Sequence, residues 1–184
     1  GPKWQLIARF LATSRRDWEA RPFVAFPDDD LRITVPQWNA LFATGEAYRL
    51  DLFQPALVNN GPQYVKHGIA IEQPSNILRY TNFVEVMVPI FSRRALHQCV
   101  RTHPVLTDPR IKSAWGVDYV LPKAILPHHR FDLPESHATN QTAYNVAIVD
   151  SVAITHTNPL SSTKGALASS FYKVFNINPE AEMK

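Results

Sequence analysis

Three consecutive carboxylates, Asp28, Asp29 and Asp30, follow directly on the short apolar stretch 23–27. The apolar stretch predicts a β-strand, so the carboxylates would lie at its carboxyl end, which is where ligands bind in an open α/β sheet. Neighbouring carboxylates repel one another unless a cation lies among them, and Mg²⁺ or Mn²⁺ binds carboxylate oxygens and bridges to substrate phosphates. The triplet therefore indicates a divalent-metal site. The alternative is a solvated acidic turn, since Asp is a common turn residue.

A second candidate is the segment Trp115-Gly116-Val117-Asp118. Gly116 would let the backbone approach a ligand closely, and the indole of Trp115 offers a flat apolar wall of the kind that packs against a sugar ring. The carboxylate of Asp118 could then accept a proton from a hydroxyl group. The alternative is a core tryptophan at a loop–helix junction, followed by an aspartate in the first helical turn, where the helix dipole favours negative charge.

A third candidate is His156, which follows the apolar run 146–155, the clearest predicted strand of the chain. Imidazole is a common ligand of Mn²⁺-like metals, and strand alternation places His156 on the same face as Asp150. A partly exposed histidine at a strand end is the alternative. The remaining histidines, including His67, are scattered and indicate no metal site. The sequence also lacks a glycine-rich phosphate loop and the G-x-S-x-G, H-E-x-x-H and C-x-x-C motifs.

Composition limits the classes of protein to which the chain can belong. Its 184 residues, of which 45% are hydrophobic and 19% charged, are typical of one globular domain. The net charge of +3 is scattered, so no nucleic-acid partner is expected. The single cysteine, Cys99, lies in an apolar helical pattern and is predicted to be a core residue.

The sequence also bears on localisation. No apolar run approaches the roughly 20 residues of a membrane span, and the amino terminus has no signal-peptide pattern. We therefore expect a cytoplasmic protein. The alternative is the Golgi lumen, if the source is eukaryotic and an anchor lies upstream of this chain. The sequence is compatible with a homo-oligomer.

Helical and extended patterns alternate along the chain. The predicted helices are 3–20, a helix that begins at a Thr34–Gln37 capping box and stops near Gly45, 93–102 after a Ser92 cap, 115–121, and a short one near 165–174. The predicted extended segments are 23–26, 49–57 with Pro55 at its end or at a sheet edge, 77–91, and 146–155. This alternation predicts an α/β fold with a mostly parallel central sheet and helices on both faces. We expect one α/β domain over 1–160 and a tail over 161–184.

The order of these motifs resembles the metal-dependent glycosyltransferases of the GT-A fold. More closely, the chain resembles a family of bacterial and plant proteins of unassigned activity that is related to that fold. The stretches that carry the resemblance are 1–4, 26–31, 50–57, 79–87, 115–118, 148–150 and 156–157. The resemblance implies the C-terminal part of a GT-A, nucleotide-diphospho-sugar transferase, domain. Because the chain starts only 27 residues before Asp28, we expect the base-binding unit of that domain to be missing or to lie outside this chain.

The resemblance also implies an activity, which is the metal-dependent transfer of a sugar from a nucleotide-diphosphate donor to the hydroxyl of a glycan or small acceptor. It implies Mn²⁺ or Mg²⁺ as the cofactor, with Asp28, Asp30 and His156 as ligands. Asp28 and Asp29 would face the donor, and Asp118 would be the catalytic base. The implied substrate-binding residues are Trp115, Gly116, Asn82 and Glu85.

A transferase site sets a geometric expectation. The carboxylate of Asp30 and the ring of His156 should lie about 4–6 Å apart, one metal-bridged span, with Asp118 further away. The acids should line one cleft beside Trp115.

Two other classes stay open. A metal-dependent phosphate-ester hydrolase would usually need a second carboxylate cluster for a second metal, and the sequence shows only the isolated Asp118 and Asp150. The second class is a non-catalytic carbohydrate-binding protein that uses a truncated transferase scaffold.

Overall fold

The structure is a computed structural model. It describes residues 3–61, 65, 67–102, 106–108, 116–125 and 145–157. Trp115, the predicted helix 165–174 and the tail 161–184 lie outside the described residues. The described elements are, in order, α1 (Lys3–Thr13), α2 (Arg15–Glu19), β1 (Phe23–Ala25), β2 (Leu31–Arg32), α3 (Val35–Ala47), β3 (Leu52–Leu57), a 3₁₀ helix (Gly68–Ala70), β4 (Arg79–Tyr80), β5 (Ile90–Ser92), α4 (Arg93–Thr102), α5 (Val117–Ile125) and β6 (Val146–His156).

The six strands form one mixed sheet in the order β1-β5-β3-β6-β2, and β4 also pairs with β6. Among the described strands, β3 and β6 run parallel, whereas the other four pairings are antiparallel. The predicted α/β class is confirmed, but the prediction of a mostly parallel sheet is wrong. A parallel neighbour needs a long crossover, usually a helix. The prediction assumed that the helix between two strands is such a crossover, but α3 connects β2 and β3, which run in opposite directions because β2 is antiparallel and β3 parallel to β6.

Strand direction nevertheless brings the predicted site residues to one edge. Because β1 is antiparallel to β5 and β5 is antiparallel to β3, β1 runs in the same direction as β3 and β6. We call the edge at which β1, β3 and β6 end the carboxyl edge. Asp28 and Asp30 follow β1 there, and His156 is the last residue of β6.

Helices cover both faces of the sheet, as predicted. Leu52 and Phe91 pack in one hydrophobic cluster with α1, α2, α4 and α5, and we call this side the four-helix face. The next residue on β3, Phe53, and the preceding one on β5, Ile90, pack on the opposite side with Leu41 of α3. This alternation buries β3 on both faces, and all six of its residues are buried. Within the described part of the chain, no helix has both the length and the apolar character that crossing a membrane requires.

Local signals explain several element boundaries. The Thr34–Gln37 capping box opens α3 as predicted, and the hydroxyl of Ser92 accepts the amide hydrogen of Ala95 at 3.1 Å at the start of α4. The predicted helix 3–20 is interrupted at Ser14, which separates α1 from α2.

The predictions that a helix stops near Gly45 and that Pro55 lies at a strand end or sheet edge are both wrong. The helix α3 continues past Gly45 to Ala47, and Pro55 lies inside β3 instead of at its end or at a sheet edge. The pairing of β3 with β6 shifts register between Pro55 and Ala56. A proline is tolerated at such an irregularity because the regular ladder, to which it cannot donate, is interrupted.

Candidate functional site

Asp30 and His156 meet at the carboxyl edge because β2 pairs with the end of β6. Leu31 lies opposite His156 in this ladder, and the amide and hydroxyl groups of Thr157 both donate to the Asp30 carbonyl at 2.8 Å. The Oδ2 atom of Asp30 and the Nε2 atom of His156 are 3.1 Å apart, within hydrogen-bonding distance. The predicted convergence of the two side chains is confirmed, at a separation shorter than the expected span of about 4–6 Å. Their role as metal ligands stays a prediction.

The Asp30–His156 pair lies partly below the surface. The side chain of His156 is 6% exposed and that of Asp30 is 29% exposed. The second carboxylate oxygen of Asp30, Oδ1, is buried and has no hydrogen-bond partner among the described residues. An imidazole nitrogen beside a carboxylate is a donor set that suits Mn²⁺, whereas Mg²⁺ prefers oxygen alone.

Asp28 faces a different partner, the ammonium group of Lys3 at the start of α1. The Lys3 Nζ atom donates to Asp28 Oδ1 at 2.8 Å and to the carbonyl oxygens of Val86 at 2.6 Å and Met87 at 3.3 Å. The Asp28 amide in turn donates to the Met87 carbonyl at 2.7 Å. The cation beside Asp28 is therefore a lysine of the chain itself, and the predicted role of Asp28 as a metal ligand has no support from this contact.

Burial dominates the electrostatics of this ion pair. Desolvation lowers the pKa of Lys3 and raises the pKa of Asp28, and the mutual attraction of the two groups offsets each shift in part. The neighbouring carboxylates Asp29 and Asp30 raise the pKa of Asp28 further. The three carboxylates of the acidic triplet therefore have different surroundings. Asp28 contacts Lys3, Asp30 contacts His156, and Asp29 between them is exposed.

A second group of ligand-type side chains consists of His67, Glu85 and Asp118, which we call the second cluster. Each offers one nitrogen or oxygen atom, and these three atoms all lie within 4.8 Å of one another. Glu85 is 5% exposed and Asp118 is 7% exposed. The Nε2 atom of His67 lies 3.9 Å from Glu85 Oε2. Sequence reasoning selected Glu85 as a substrate-binding residue and Asp118 as the catalytic base, but it missed His67, because no local spacing connects His67 to them.

The position of Asp118 is set by a proline in its own helix. Pro122 of α5 has no amide hydrogen to donate to the carbonyl four residues earlier, which is that of Asp118. That carbonyl accepts the amide hydrogen of Val84 at 3.3 Å instead, and the Oδ1 atom of Asp118 accepts that of Val86 at 2.7 Å. The amide of Glu85 donates to the buried side chain of Gln54. These bonds hold the 84–86 backbone beside Asp118.

One residue, Val86, connects the two halves of the site. The amide hydrogen of Val86 is donated to Asp118, and the carbonyl of Val86 accepts a hydrogen bond from Lys3, which also binds Asp28. Lys3 is also close enough to Asp30 and Glu85 for both carboxylates to affect its pKa. The acidic triplet and the second cluster are therefore neighbours.

Aromatic rings stand beside the second cluster. The ring of Phe83 lies 4.9 Å from that of His67 and 5.2 Å from that of Tyr119, measured between centroids. Tyr119 is 51% exposed, so it presents a ring to solvent next to Asp118. Trp115, the predicted sugar-packing residue, lies outside the described residues. Gly116 has a φ of 78°, and this left-handed turn into α5 explains the glycine without a ligand.

The remaining predicted residues do not join the site. Asn82 is exposed. Asp150 is buried and forms an ion pair with Arg79, at 2.7 Å between Arg79 Nε and Asp150 Oδ2. Strand alternation would place Asp150 beside His156, but the register of β6 against β3 jumps between Val149 and Ala153, so the alternation does not extend through Asp150.

The expected single cleft is not seen among the described residues. A groove of about 690 Å³ lies between α1 and β1. Lys3, Asp28 and Asp29 line it, and the rest of its described wall is mainly apolar. Asp30, Asp118 and His156 are not among its lining residues.

No protein-family model matches the chain, and searches of curated proteins and of solved structures found no significant match.

Proposed function

We propose that this protein is a metal-dependent glycosyltransferase, which moves a sugar from a nucleotide-diphosphate donor to a hydroxyl acceptor. The observation that carries the proposal is the 3.1 Å contact between Asp30 and His156. The two residues are 126 positions apart in the sequence, and each follows or ends a strand that runs to the carboxyl edge. The parallel pair β3 and β6 ends at that edge, ligands bind beyond the carboxyl ends of parallel strands in open α/β sheets, and a carboxylate with an imidazole is a metal-binding pair.

Asp30 and His156 would hold Mn²⁺ or Mg²⁺, and the imidazole favours Mn²⁺. The buried Oδ1 atom of Asp30, which has no hydrogen-bond partner among the described residues, fits this role because a buried carboxylate oxygen needs a donor or a cation. When bound, such an ion neutralises charge on the leaving diphosphate. Lys3 adds a fixed positive charge beside Asp28, and the exposed Asp29 would face the donor.

The acceptor would bind on the side of Val86 that faces Asp118. Asp118 would take the proton of the acceptor hydroxyl as general base, and the Val86 amide orients its carboxylate at 2.7 Å. The exposed ring of Tyr119 offers a face for a sugar, and Glu85 lies beside Asp118 to accept a sugar hydroxyl. Trp115 and Gly116 would extend this acceptor surface.

The direct test is calorimetry of the chain with Mn²⁺ and then with a panel of nucleotide-diphosphate sugars. Asp30→Asn and His156→Ala should each weaken Mn²⁺ binding at least about 10-fold, the lower bound seen when even an outer-shell partner is lost. Donor binding should require Mn²⁺, and turnover would be followed as release of nucleoside diphosphate. Asp17→Asn, an exposed aspartate on α2, and His97→Ala are the matched controls. Unchanged Mn²⁺ affinity in both site variants counts against the proposal, because metal binding does not need the base-binding unit that is expected to be missing or to lie outside this chain.

One observation favours a second candidate, a metal-dependent phosphate-ester hydrolase. This class usually uses two metals, and the second cluster adds two buried carboxylates and a histidine to the Asp30–His156 pair. Hydrolysis of p-nitrophenyl phosphate in Mn²⁺, abolished by a chelator and by Glu85→Gln, would support it. Sugar transfer without hydrolysis of simple esters would favour the glycosyltransferase.

A further inference from the structure

We infer that the second cluster, His67, Glu85 and Asp118, is a binding site for a divalent transition-metal ion such as Zn²⁺, separate from the Asp30–His156 pair. The inference does not rest on the proposed function, although it gives Glu85 and Asp118 a different role, since a carboxylate that holds an ion here would not also act as the base. It rests on the convergence of three ligand-type side chains from distant parts of the chain.

The geometry is close to that of a bound ion. Ligands about 2.1 Å from a tetrahedral ion lie about 3.4 Å from one another. The three candidate ligand atoms lie within 4.8 Å of one another, and His67 Nε2 is 3.9 Å from Glu85 Oε2. Closing around an ion thus requires movements of about 1 Å, which rotation of the His67 and Glu85 side chains supplies.

Charge favours a cation here. Ionised Glu85 and Asp118 bring two negative charges into a region where they are 5% and 7% exposed, and His67 brings at most one positive charge when protonated. Buried carboxylates with oxygen atoms within 4.8 Å of each other are costly unless they are protonated or share a cation. A divalent ion with neutral His67 balances the cluster.

The backbone of the second cluster is fixed without the ion. The amide of Glu85 binds Gln54, and the Asp118 carboxylate accepts the amide hydrogen of Val86. The rings of Phe83 and Tyr119 stand beside His67, and apolar groups next to a metal site limit the access of solvent to it.

The ligand types are those of a divalent transition-metal site. One imidazole and two carboxylates are ligands that Zn²⁺ accepts, and catalytic zinc sites take three protein ligands and keep one position open. An ion at this position would lower the pKa of an acceptor hydroxyl where Asp118 otherwise acts as the base.

The test uses the full chain after removal of metal by a chelator. Zn²⁺ binding is measured by equilibrium dialysis with elemental analysis, and Co²⁺ serves as a visible-absorption probe of the ligand geometry. His67→Ala and the shape-conserving Glu85→Gln should each weaken binding at this site at least about 10-fold. His97→Ala is the matched control, because His97 also contacts a carboxylate, Glu19, at 3.4 Å, on the four-helix face. Thermal melting shows that each variant is folded, and His67→Gln replaces His67→Ala if the latter is not.

The outcomes separate this site from the proposed function. Loss of one bound ion in His67→Ala and Glu85→Gln, with that ion retained in Asp30→Asn and His156→Ala, supports the second cluster even if no sugar donor binds. Folded His67 and Glu85 variants that bind Zn²⁺ and Co²⁺ as the wild type does overturn it. Loss of the ion in His97→Ala alone also overturns it, since the ion then lies at the surface.

Discussion

Each carboxylate of the triplet Asp28–Asp30 meets a different environment, and this decides what each one can do. The Lys3 ammonium lies 2.8 Å from Asp28 and neutralises its charge. This relieves much of the repulsion that the triplet implies, without a metal at Asp28. Asp30, beside His156, is therefore the member of the triplet best placed to bind an added ion.

Asp28 gives a prediction for the pH dependence of stability. Burial raises its pKa above the ordinary 3.8, so the folded chain binds this proton more readily than the unfolded chain does. The resulting stabilisation is fully present below pH 3.8 and is lost as the pH rises through the raised pKa. The unfolding free energy of the wild type relative to Asp28→Asn, measured in urea, should therefore fall from acidic to neutral pH. A difference that is constant or rises with pH contradicts this, and the exposed Asp29→Asn is the control.

Cys99 is predicted to be unreactive in the folded protein. It is fully buried in α4, and desolvation raises the pKa of its thiol to about 12. The thiolate is the reactive form, so a thiol reagent at neutral pH should label the native chain only as fast as it opens. Labelling should become rapid in denaturant. Since the chain has one cysteine, the signal reports on this helix alone, and fast labelling of the native protein would show the burial to be incorrect.

The long strand β6 positions the site by pairing with different neighbours along its length. Its first half pairs with β4, at Ala147 and Ile148, and its last residues pair with β2, at Thr155 and His156. The register shift against β3 lies between these two regions. The end of β6 therefore pairs with β2 and not with β4, and Asp30 lies immediately before β2.

Gly45 in α3 gives a prediction about helix–sheet packing. A Cβ atom at this position would lie 2.5 Å from Cζ of Phe53, which is fully buried in β3. A glycine inside a helix usually gains about 1 kcal/mol on replacement by alanine, but overpacking costs about 1–3 kcal/mol. We therefore expect Gly45→Ala to be destabilising in urea unfolding. The control is Gly68→Ala, where an added Cβ meets nothing within 4 Å, and a stabilised Gly45→Ala would contradict the packing argument.

The two ends of the sheet have different roles. One end holds secondary-structure elements together, and the other carries the candidate site. At the amino end of β3, Asp51 accepts hydrogen bonds from Ser92 at 2.7 Å and from the amide of Asn145 at 3.1 Å, and it pairs with Arg94. Asp51 thus joins β3 to β5, α4 and β6, whereas Asp30 and His156 lie at the carboxyl edge.

This separation predicts that stability and metal binding can be changed independently. Asp51→Ala removes a 3%-exposed charge with several donors and should cost about 3 kcal/mol in urea unfolding. The six residues of β3 put about 20 Å between its ends, so the Mn²⁺ affinity of the folded variant should not change. Asp30→Asn should show the reverse pattern. A joint loss of stability and affinity in Asp51→Ala would mean that the two edges are coupled.

Features that depend on near neighbours in the chain could be predicted from the sequence. The Thr34–Gln37 capping box and the Ser92 cap involve hydrogen bonds across three residues, and the alternating apolar pattern of β6 is visible in its own residues. The order of motifs also predicted that Asp30 and His156 converge, on the expectation of parallel strands, whereas in the structure the pairing of β2 with the end of β6 brings them together.

Only the tertiary structure decided which distant groups meet. The pairing of Lys3 with Asp28, the approach of His67 to Glu85 and Asp118, and the antiparallel directions of the short strands leave no periodic trace in the sequence. Each depends on how loops return the chain and on which surfaces pack, and these are set by the burial of the whole core. Local spacing therefore predicted that carboxylates lie at the edge of the sheet. Only the folded chain determined that one of them, Asp28, has the ammonium group of Lys3 beside it.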